Sequence, residues 1–523
     1  MNNDLIISKT KNIFKNEKDL NSILIGQWLI EDFSKEQIEK NNITINRPAS
    51  YEKEARKKSY LICENIFNSI IDDFCKNLNN LHSINLSQRA WRIIAESWIK
   101  RFIYICYNRK ETLDIAFEDH KIAKVHLTSN KNYNFFTKDT EGQYPASVDN
   151  FWNSNLYLRL LNYFDYNVNI VAENKDENFI NLNTYYERIK NSKKNFKFKF
   201  FSNFFSLCKI FVKKNDGLIF NSYLPFYSEK ILEIYLKQIP QLWKEKEIVY
   251  SSFNKDLRNK IVFDSNKEEK NLENFIRKII PNSLPICFVE SFAKIFQNAG
   301  HHNFPKDPKF IFISTGFDHD ELLKFYIAKN VEKGKKYYVG QHGATYFTEH
   351  DANLRAEVNT SDKFFSWGYR NNKIKNIVPL FNFKTYNKKI LGNPKGNLLI
   401  IIRSLGYRAT PWDRYQEGLL GIEKVSNLIK LMPSKINENT IIRLHKSFQL
   451  KRSKYFLDKY FGKYYNNLEF GNIDYKKLLS QSRLTCFNYD STGFLENLNY
   501  NFPSVAIWDK TFNHLNENFK KKI

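Results

Sequence analysis

Short, nearly continuous apolar runs recur along the second half of this chain. They are KFIFIS at 309–314, KYYV at 336–339, KFFS at 363–366, NLLIIIR at 397–403, TIIRL at 440–444 and LTCF at 484–487. Each is too short for a helix and too uniformly apolar for a strand with one face in water. A strand that does not alternate is buried on both faces, which is the habit of parallel sheets. Between the runs, residues 320–332, 419–431, 475–482 and 493–499 read as helices. Parallel neighbours need crossovers of that length, because a tight hairpin joins only antiparallel strands. The pattern therefore predicts an α/β fold with two facing Rossmann-like domains and parallel sheets.

The break between the two blocks is read at residues 371–396, a polar stretch with Pro379 and Pro394. This gives an N-terminal domain over 1–385 and a C-terminal domain over 386–523. Residues 22–30 (SILIGQWLI) read as a buried first strand. Residues 51–79 and 87–107 carry helical spacing, the second with Ser87 as N-cap and Trp91, Ile94, Ala95, Trp98, Phe102 and Ile105 on one face. Arg89 and Arg92 stand near that helix start, where the dipole disfavours cations, so each needs a carboxylate or an anionic ligand. Residues 216–222 read as a strand and 227–239 as a helix. Residues 174–194 read as a loop or solvated helix, and the aromatic run 196–207 as core or a membrane-facing edge. The N-terminal half is thus an α/β unit with helical additions.

Composition narrows the function. The 523 residues, 42% of them apolar, suffice for two or three domains with real cores. No apolar run reaches the roughly 18 residues of a membrane-spanning helix, and the N-terminus lacks the basic start and apolar stretch of a secretory signal. The six cysteines (Cys63, Cys75, Cys106, Cys208, Cys287 and Cys486) show no ligand spacing, so buried, reduced thiols in a cytoplasmic protein are expected, with no metal and no cofactor. The net charge of +25 points to an anionic partner: nucleic acid, anionic lipid or a nucleotide-activated substrate. The lysines are dispersed and no nucleic-acid motif accompanies them, which argues against nucleic acid. Peripheral contact with an anionic membrane stays open.

Chemistry is expected where strands end, since ligands of open α/β sheets bind outside the carboxyl ends of the strands. One strand runs into Gly340, Gln341, His342 and Gly343. A histidine between glycines has no evident packing purpose, and its ordinary pKa suits proton transfer near neutrality. Gln341, Gly343, His319 and Glu349 border it and are assigned to the acceptor side. Asp318 and His319 follow the preceding strand; Asp320 reads better as a helix cap. In the C-terminal block, Arg403 follows one strand, Arg443, His445 and Lys446 follow the next, and Ser491, Thr492 and Glu496 open a helix after the third. Cations, hydroxyls and a helix start on one edge suit a diphosphate or phosphodiester, although a Ser–Thr pair at a helix start is most often only a cap.

These residues also carry a resemblance. Residues 304–370, with FPKDPKFIF, FDHDELLKFYIAKNVEKGKKYYVGQHG and SDKFFSWGYR, resemble the signature region of a family of bacterial surface-polysaccharide (O-antigen-type) transferases. ILIGQWL, SQRAWRIIAESWI and YDSTGFLENLNYNFPSVAIWD resemble other parts of that family. The order HG, then RxH, then DSTxxxE is more distantly similar to polymer glycerophosphotransferases and to sialyl- or Kdo-type transferases of the GT-B fold. The resemblance implies a GT-B-like glycosyltransferase with a nucleotide-sugar donor, a CMP-linked acidic sugar among the candidates, and a glycan or lipid-linked glycan acceptor. It implies His342 or Asp318 as base, with Arg443, His445, Ser491 and Thr492 at the donor phosphate. The chain departs from the family at Ala344, Thr345, Tyr346 and Phe347, and RLHK lacks the proline of the commoner His-Pro motif. Its end soon after Trp508 reads as a shortened C-terminal domain. A polyol-phosphate transferase, a nucleic-acid-binding protein and a degenerate, non-catalytic relative are the alternatives.

Overall fold

A computed structural model of the chain describes residues 3–11, 13, 21–40, 42–50, 52–175, 211–264, 269–344, 346, 355–370, 374–449 and 454–508. The strands fall into three five-stranded sheets, and every pairing within them is parallel. The first holds β1 (Asn3–Ile6), β2 (Ser22–Leu24), β3 (Thr44–Ile45), β4 (Ile122–Ser129) and β5 (Asn169–Asn174). The second holds β6 (Leu218–Phe220), β7 (Phe310–Ile313), β8 (Lys336–Gly340), β9 (Lys363–Trp367) and β10 (Ile377–Leu380). The third holds β11 (Asn397–Ile401), β12 (Thr440–Arg443), β13 (Leu468–Glu469), β14 (Ser482–Phe487) and β15 (Ser504–Ala506). The α/β class and the parallel, Rossmann-type sheets are as the apolar runs dictate, and the architecture is consistent with a GT-B-like one.

Two elements were hidden in the sequence. The first sheet lies inside the half read as an α/β unit with helical additions. Its inner strand β4 contains Lys124 and His126, which blur the apolar signal, and His126 Nε2 meets Asp4 Oδ2 of the neighbouring central strand β1 at 2.7 Å. A polar residue satisfied across a strand pair is stable in a sheet but invisible to periodicity. Residues 377–380, read as linker, form β10. Pro379 is tolerated there because β10 lies at the edge of its sheet, where one side of the strand makes no ladder bonds. Of the apolar run 22–30, only Ser22–Leu24 is strand; Gln27–Asp32 turns into a 3₁₀-helix. The aromatic run 196–207 lies outside the described residues.

Order matters for the site. The first and third sheets both run third, second, first, fourth, fifth strand, and so have a topological switch point between their first and fourth strands. In the third sheet this sets the ends of β11 and β14 side by side. The second sheet is sequential, β6 to β10.

The helices that position the site are α1 (Lys53–His82), α2 (Gln88–Asp119), α3 (Gln143–Val148), α4 (Phe226–Tyr235), α5 (Glu321–Glu332), α6 (Ala356–Thr360), α7 (Arg414–Leu431) and α8 (Thr492–Tyr500). Helix α2 is the spine. Its 32 residues span about 48 Å, Ser87 caps it by accepting from Ala90 N, and it packs against α1, α3, α5 and α6. The two arginines at its start find carboxylates: Arg89 pairs with Asp362 at 2.9 Å and Arg92 with Glu96 at 2.7 Å. Cys63, Cys75, Cys106, Cys287 and Cys486 are free and buried. Among the described residues no helix is long and apolar enough to cross a membrane.

Candidate active site

A cavity of about 570 Å³ opens between the strand ends of the second and third sheets and helix α2. The second sheet supplies Phe317, Asp318 and His319 after β7 and His342 after β8. The third supplies Arg403 and Ser404 after β11 and Tyr489 after β14. Helix α2 supplies Glu96, Lys100, Arg101 and Tyr104. Lys100, Arg101, Arg355, Arg403 and Arg414 line it against the carboxylates of Glu96, Asp318 and Glu357, so five cations face three anions. That balance favours an anionic occupant.

His342 is held by its loop rather than by packing. Gln341 is buried, donates from Nε2 to Gly343 O at 2.7 Å and accepts at Oε1 from Trp367 N at 2.8 Å, which ties the turn to β9. Gly340 admits no side chain: a Cβ there would lie 2.4 Å from Ser314 Oγ and 2.5 Å from the Phe383 ring. The imidazole lies among Tyr223, Phe317 and Tyr346, with ring centroids 6.2, 5.4 and 5.2 Å away. Its Nδ1 is 2.7 Å from the Tyr346 hydroxyl, and that hydroxyl donates to Glu357 Oε1 at 2.6 Å. A hydroxyl has one proton. With it given to Glu357, the Tyr346 oxygen accepts from Nδ1–H, and the lone pair rests on Nε2. Nε2 has no hydrogen-bond partner among the described residues, and His342 lines the cavity. Burial, followed by the charge of Arg355, lowers the His342 pKa to about 3, so the ring is neutral at physiological pH. Burial raises the Glu357 carboxyl, opposed by Arg355 and by the Tyr346 hydrogen bond. Arg355 sits over the Tyr346 ring at 4.5 Å.

Asp318 is differently placed. Arg101 Nη2 donates to Oδ1 at 2.6 Å and the Tyr144 hydroxyl to Oδ2 at 2.5 Å. Burial works against its charge, but the Arg101 guanidinium and these two hydrogen bonds hold it below the usual carboxylate range. Both oxygens are engaged, so Asp318 is a fixed negative charge, a weak proton acceptor that still favours a positive charge on His342.

Across the cavity, Arg403 Nη1 pairs with Glu417 Oε1 at 2.6 Å, and Arg56 reaches the same oxygen at 3.6 Å. Arg403 N donates to Asn488 Oδ1 at 3.0 Å, which stitches the ends of β11 and β14 together at the switch point. The guanidinium lies 5.7 Å from the Tyr489 ring.

The remaining expected residues lie off this cavity. Arg443 pairs with Glu469 at 3.1 Å and donates to Ile473 O at 2.8 Å. His445 and Lys446 follow it; desolvation of the ring, then the charges of Arg443 and Lys446, lower the His445 pKa. Ser491 caps α8 by accepting from Phe494 N at 3.0 Å. Glu496 is buried and receives Lys384 Nζ at 2.6 Å. Thr492 Oγ1 accepts from Ala344 N at 3.3 Å and lies 3.2 Å from where a Gly343 Cβ would stand, so it joins the His342 loop to the third sheet. Asp320 caps α5, as its position suggests, and also meets His301 at 2.6 Å. Glu349 lies outside the described residues.

Four residues of the site carried no sequence signal: Arg101, Tyr144, Tyr346 and Glu357. Among the described residues no three His, Cys, Asp or Glu side chains converge as a metal ion would require.

The family model of the LIC12162 family transferases matches residues 4–523, nearly the full chain. The protein belongs to that transferase family. No curated protein matches it.

Proposed function

We propose that this transferase moves a sugar from a nucleotide-activated donor to a hydroxyl of a surface-polysaccharide or lipopolysaccharide acceptor, in the cytoplasm at the inner face of the membrane. The observation that carries the reading is the cavity itself, where a neutral, wired histidine on one sheet faces a cationic strand end at the switch point of another. The donor's phosphates lie toward Arg403, with Lys100 and Arg101 on the helix beside them. The acceptor hydroxyl lies against His342 Nε2. Nε2 takes the hydroxyl proton as the oxygen attacks the anomeric carbon, and the sugar–phosphate bond breaks with its electrons left on the nucleotide phosphate. The cations stabilise that phosphate, which needs its charge neutralised most as it leaves.

A histidine with a pKa near 3 is a poor base in the empty site. Two features correct this. Nδ1–H can lean on Tyr346 and through it on the Glu357 carboxylate, and an anionic donor in the same cavity favours the imidazolium. Base strength thus rises once donor is bound, which guards against idle hydrolysis. Asp318 contributes a fixed charge and orients Arg101.

A polyol-phosphate transferase would use the same cations, with the phosphate carried over to the acceptor. A CMP-linked acidic sugar is the first donor to test. Donor turnover should fall roughly a hundredfold or more in His342→Ala; unchanged turnover removes His342 from the chemistry. The mass gained by the acceptor separates a sugar from a sugar or polyol phosphate.

A further inference from the structure

Helix α4 follows β6, the edge strand of the second sheet. It is bound to that sheet by Leu232, which packs with Ile219, Phe312 and Phe383. Its carboxylates point inward. Glu229 meets Ser222 Oγ and Lys230 Nζ, and buried Glu233 meets Lys230 and accepts from Gln241 N. The opposite face carries Tyr227, Ile231, Ile234 and Tyr235, spaced four, three and one apart, so they share one side of the helix. They are 79%, 53%, 59% and 81% exposed, and Phe226 beside them is 59% exposed. A contiguous apolar and aromatic face left in water marks an interaction site.

The charge around this face identifies its partner. Gln238, just past the helix, bonds Gly217 N and O at 2.6 and 3.0 Å, which brings the helix's C-terminal end to the amino end of β6. Lys213 and Lys214 are exposed there, Lys237 ends the apolar face, and Lys306 and Lys309 flank Asp307, whose N–H donates to Lys214 O. Apolar and tyrosine side chains on one face, a lysine cluster at its end and no outward carboxylate on the helix complement an anionic bilayer surface. Tyrosines settle at the headgroup level, aliphatic side chains below it, and lysines meet anionic headgroups. We propose that α4 lies in the plane of an anionic membrane and docks the enzyme there. The helix starts three residues after Tyr223, whose ring stacks on His342, so the docking helix begins at the edge of the sheet that carries the histidine. This names the surface on which the proposed lipid-linked acceptor would be met, and so rests in part on that reading.

The test is co-sedimentation of the full chain with vesicles of phosphatidylcholine alone or mixed in equal parts with phosphatidylglycerol. The protein should bind the mixed vesicles, and a variant with Tyr227→Ser, Ile231→Ser, Ile234→Ser and Tyr235→Ser should lose at least roughly tenfold in partitioning while keeping its melting temperature. Lys213→Gln with Lys214→Gln and Lys237→Gln should remove the preference for anionic lipid. Donor turnover with a water-soluble acceptor should be the same in all three proteins, so vesicle binding and chemistry are judged apart. Failure of the parent protein to bind mixed vesicles overturns the proposal, as does undiminished binding by the serine variant. A dimer in sedimentation velocity that the serine variant dissolves, without vesicle binding by the parent, assigns the face to a second copy instead.

Discussion

Tyr346→Phe removes one oxygen and breaks the line from His342 to Glu357. The hydrogen bonds at 2.7 Å to Nδ1 and 2.6 Å to Oε1 go with it. The phenyl ring remains to fill the space against Phe364, so no cavity opens. The loss falls on Glu357, which is buried and forfeits a hydrogen bond to its charged form; an unsatisfied buried acceptor costs about 1–3 kcal/mol. Burial already raises the Glu357 pKa, and the Tyr346 hydrogen bond holds it down, so the variant raises it further. The sign follows: a carboxyl whose folded pKa exceeds its unfolded one is proton-bound longer in the folded state. Stability is then highest at low pH and falls as pH climbs through the folded pKa. The variant should show a deeper fall reaching to higher pH. In catalysis, Nδ1 loses its acceptor, Nε2 no longer holds the lone pair by default, and transfer should slow by about 10- to 100-fold. Nitrogen chemical shifts of His342 report the tautomer, donor turnover the rate, and thermal melts across pH the linkage. A variant with parental turnover, parental tautomer and a parental pH–stability curve would refute the relay.

Arg101→Gln should cost about 3–5 kcal/mol, because Asp318 is left without its cation. Asp318 has a lowered folded pKa, so its contribution is present above the unfolded pKa and is lost as pH falls through the folded one. Acid unfolding should therefore begin at higher pH in the variant, as read by circular dichroism. His342 titrates near 3 folded against 6.5 unfolded, so the unfolded chain takes the proton first and stability falls as pH drops from about 6.5 toward 3. His342→Gln should flatten that limb of the melting-temperature profile. Arg403→Ala should weaken donor binding at least roughly tenfold by calorimetry. Arg443→Ala, whose side chain is spent on Glu469 and Ile473 O, should leave donor binding unchanged and cost about 1 kcal/mol of stability.

The legible parts of this protein were those set by local rules. Asn397–Ile401 and Thr440–Arg443 declare themselves as strands by their apolarity, Ser87 and Asp320 as caps by their position, and the loop of His342 by its glycines. The proposed donor edge was read from the rule that ligands of open α/β sheets gather at strand ends. Sequence order, however, does not reveal which strand ends share a crevice. The order of the third sheet pairs the end of β11 with that of β14, while β12 stands on the far side of β11. Arg403 therefore lines the cavity and Arg443 turns to Glu469.

Residue type and spacing were enough to dictate an α/β chain of parallel sheets and a histidine poised at a strand end, because burial on two faces and backbone freedom at glycine act over a few residues. The histidine's protonation state was another matter. It depends on Tyr346 and Glu357, on Arg355 above the tyrosine ring, and on Arg101 and Tyr144, which arrive from two helices some two hundred residues away to fix Asp318. Electrostatics and hydrogen bonding act through space over a few ångströms, and the chain order carries no record of those distances. Packing around α2 brought these groups together, and so decided that His342 is neutral with Nδ1 tethered, and that Asp318 is a tethered anion.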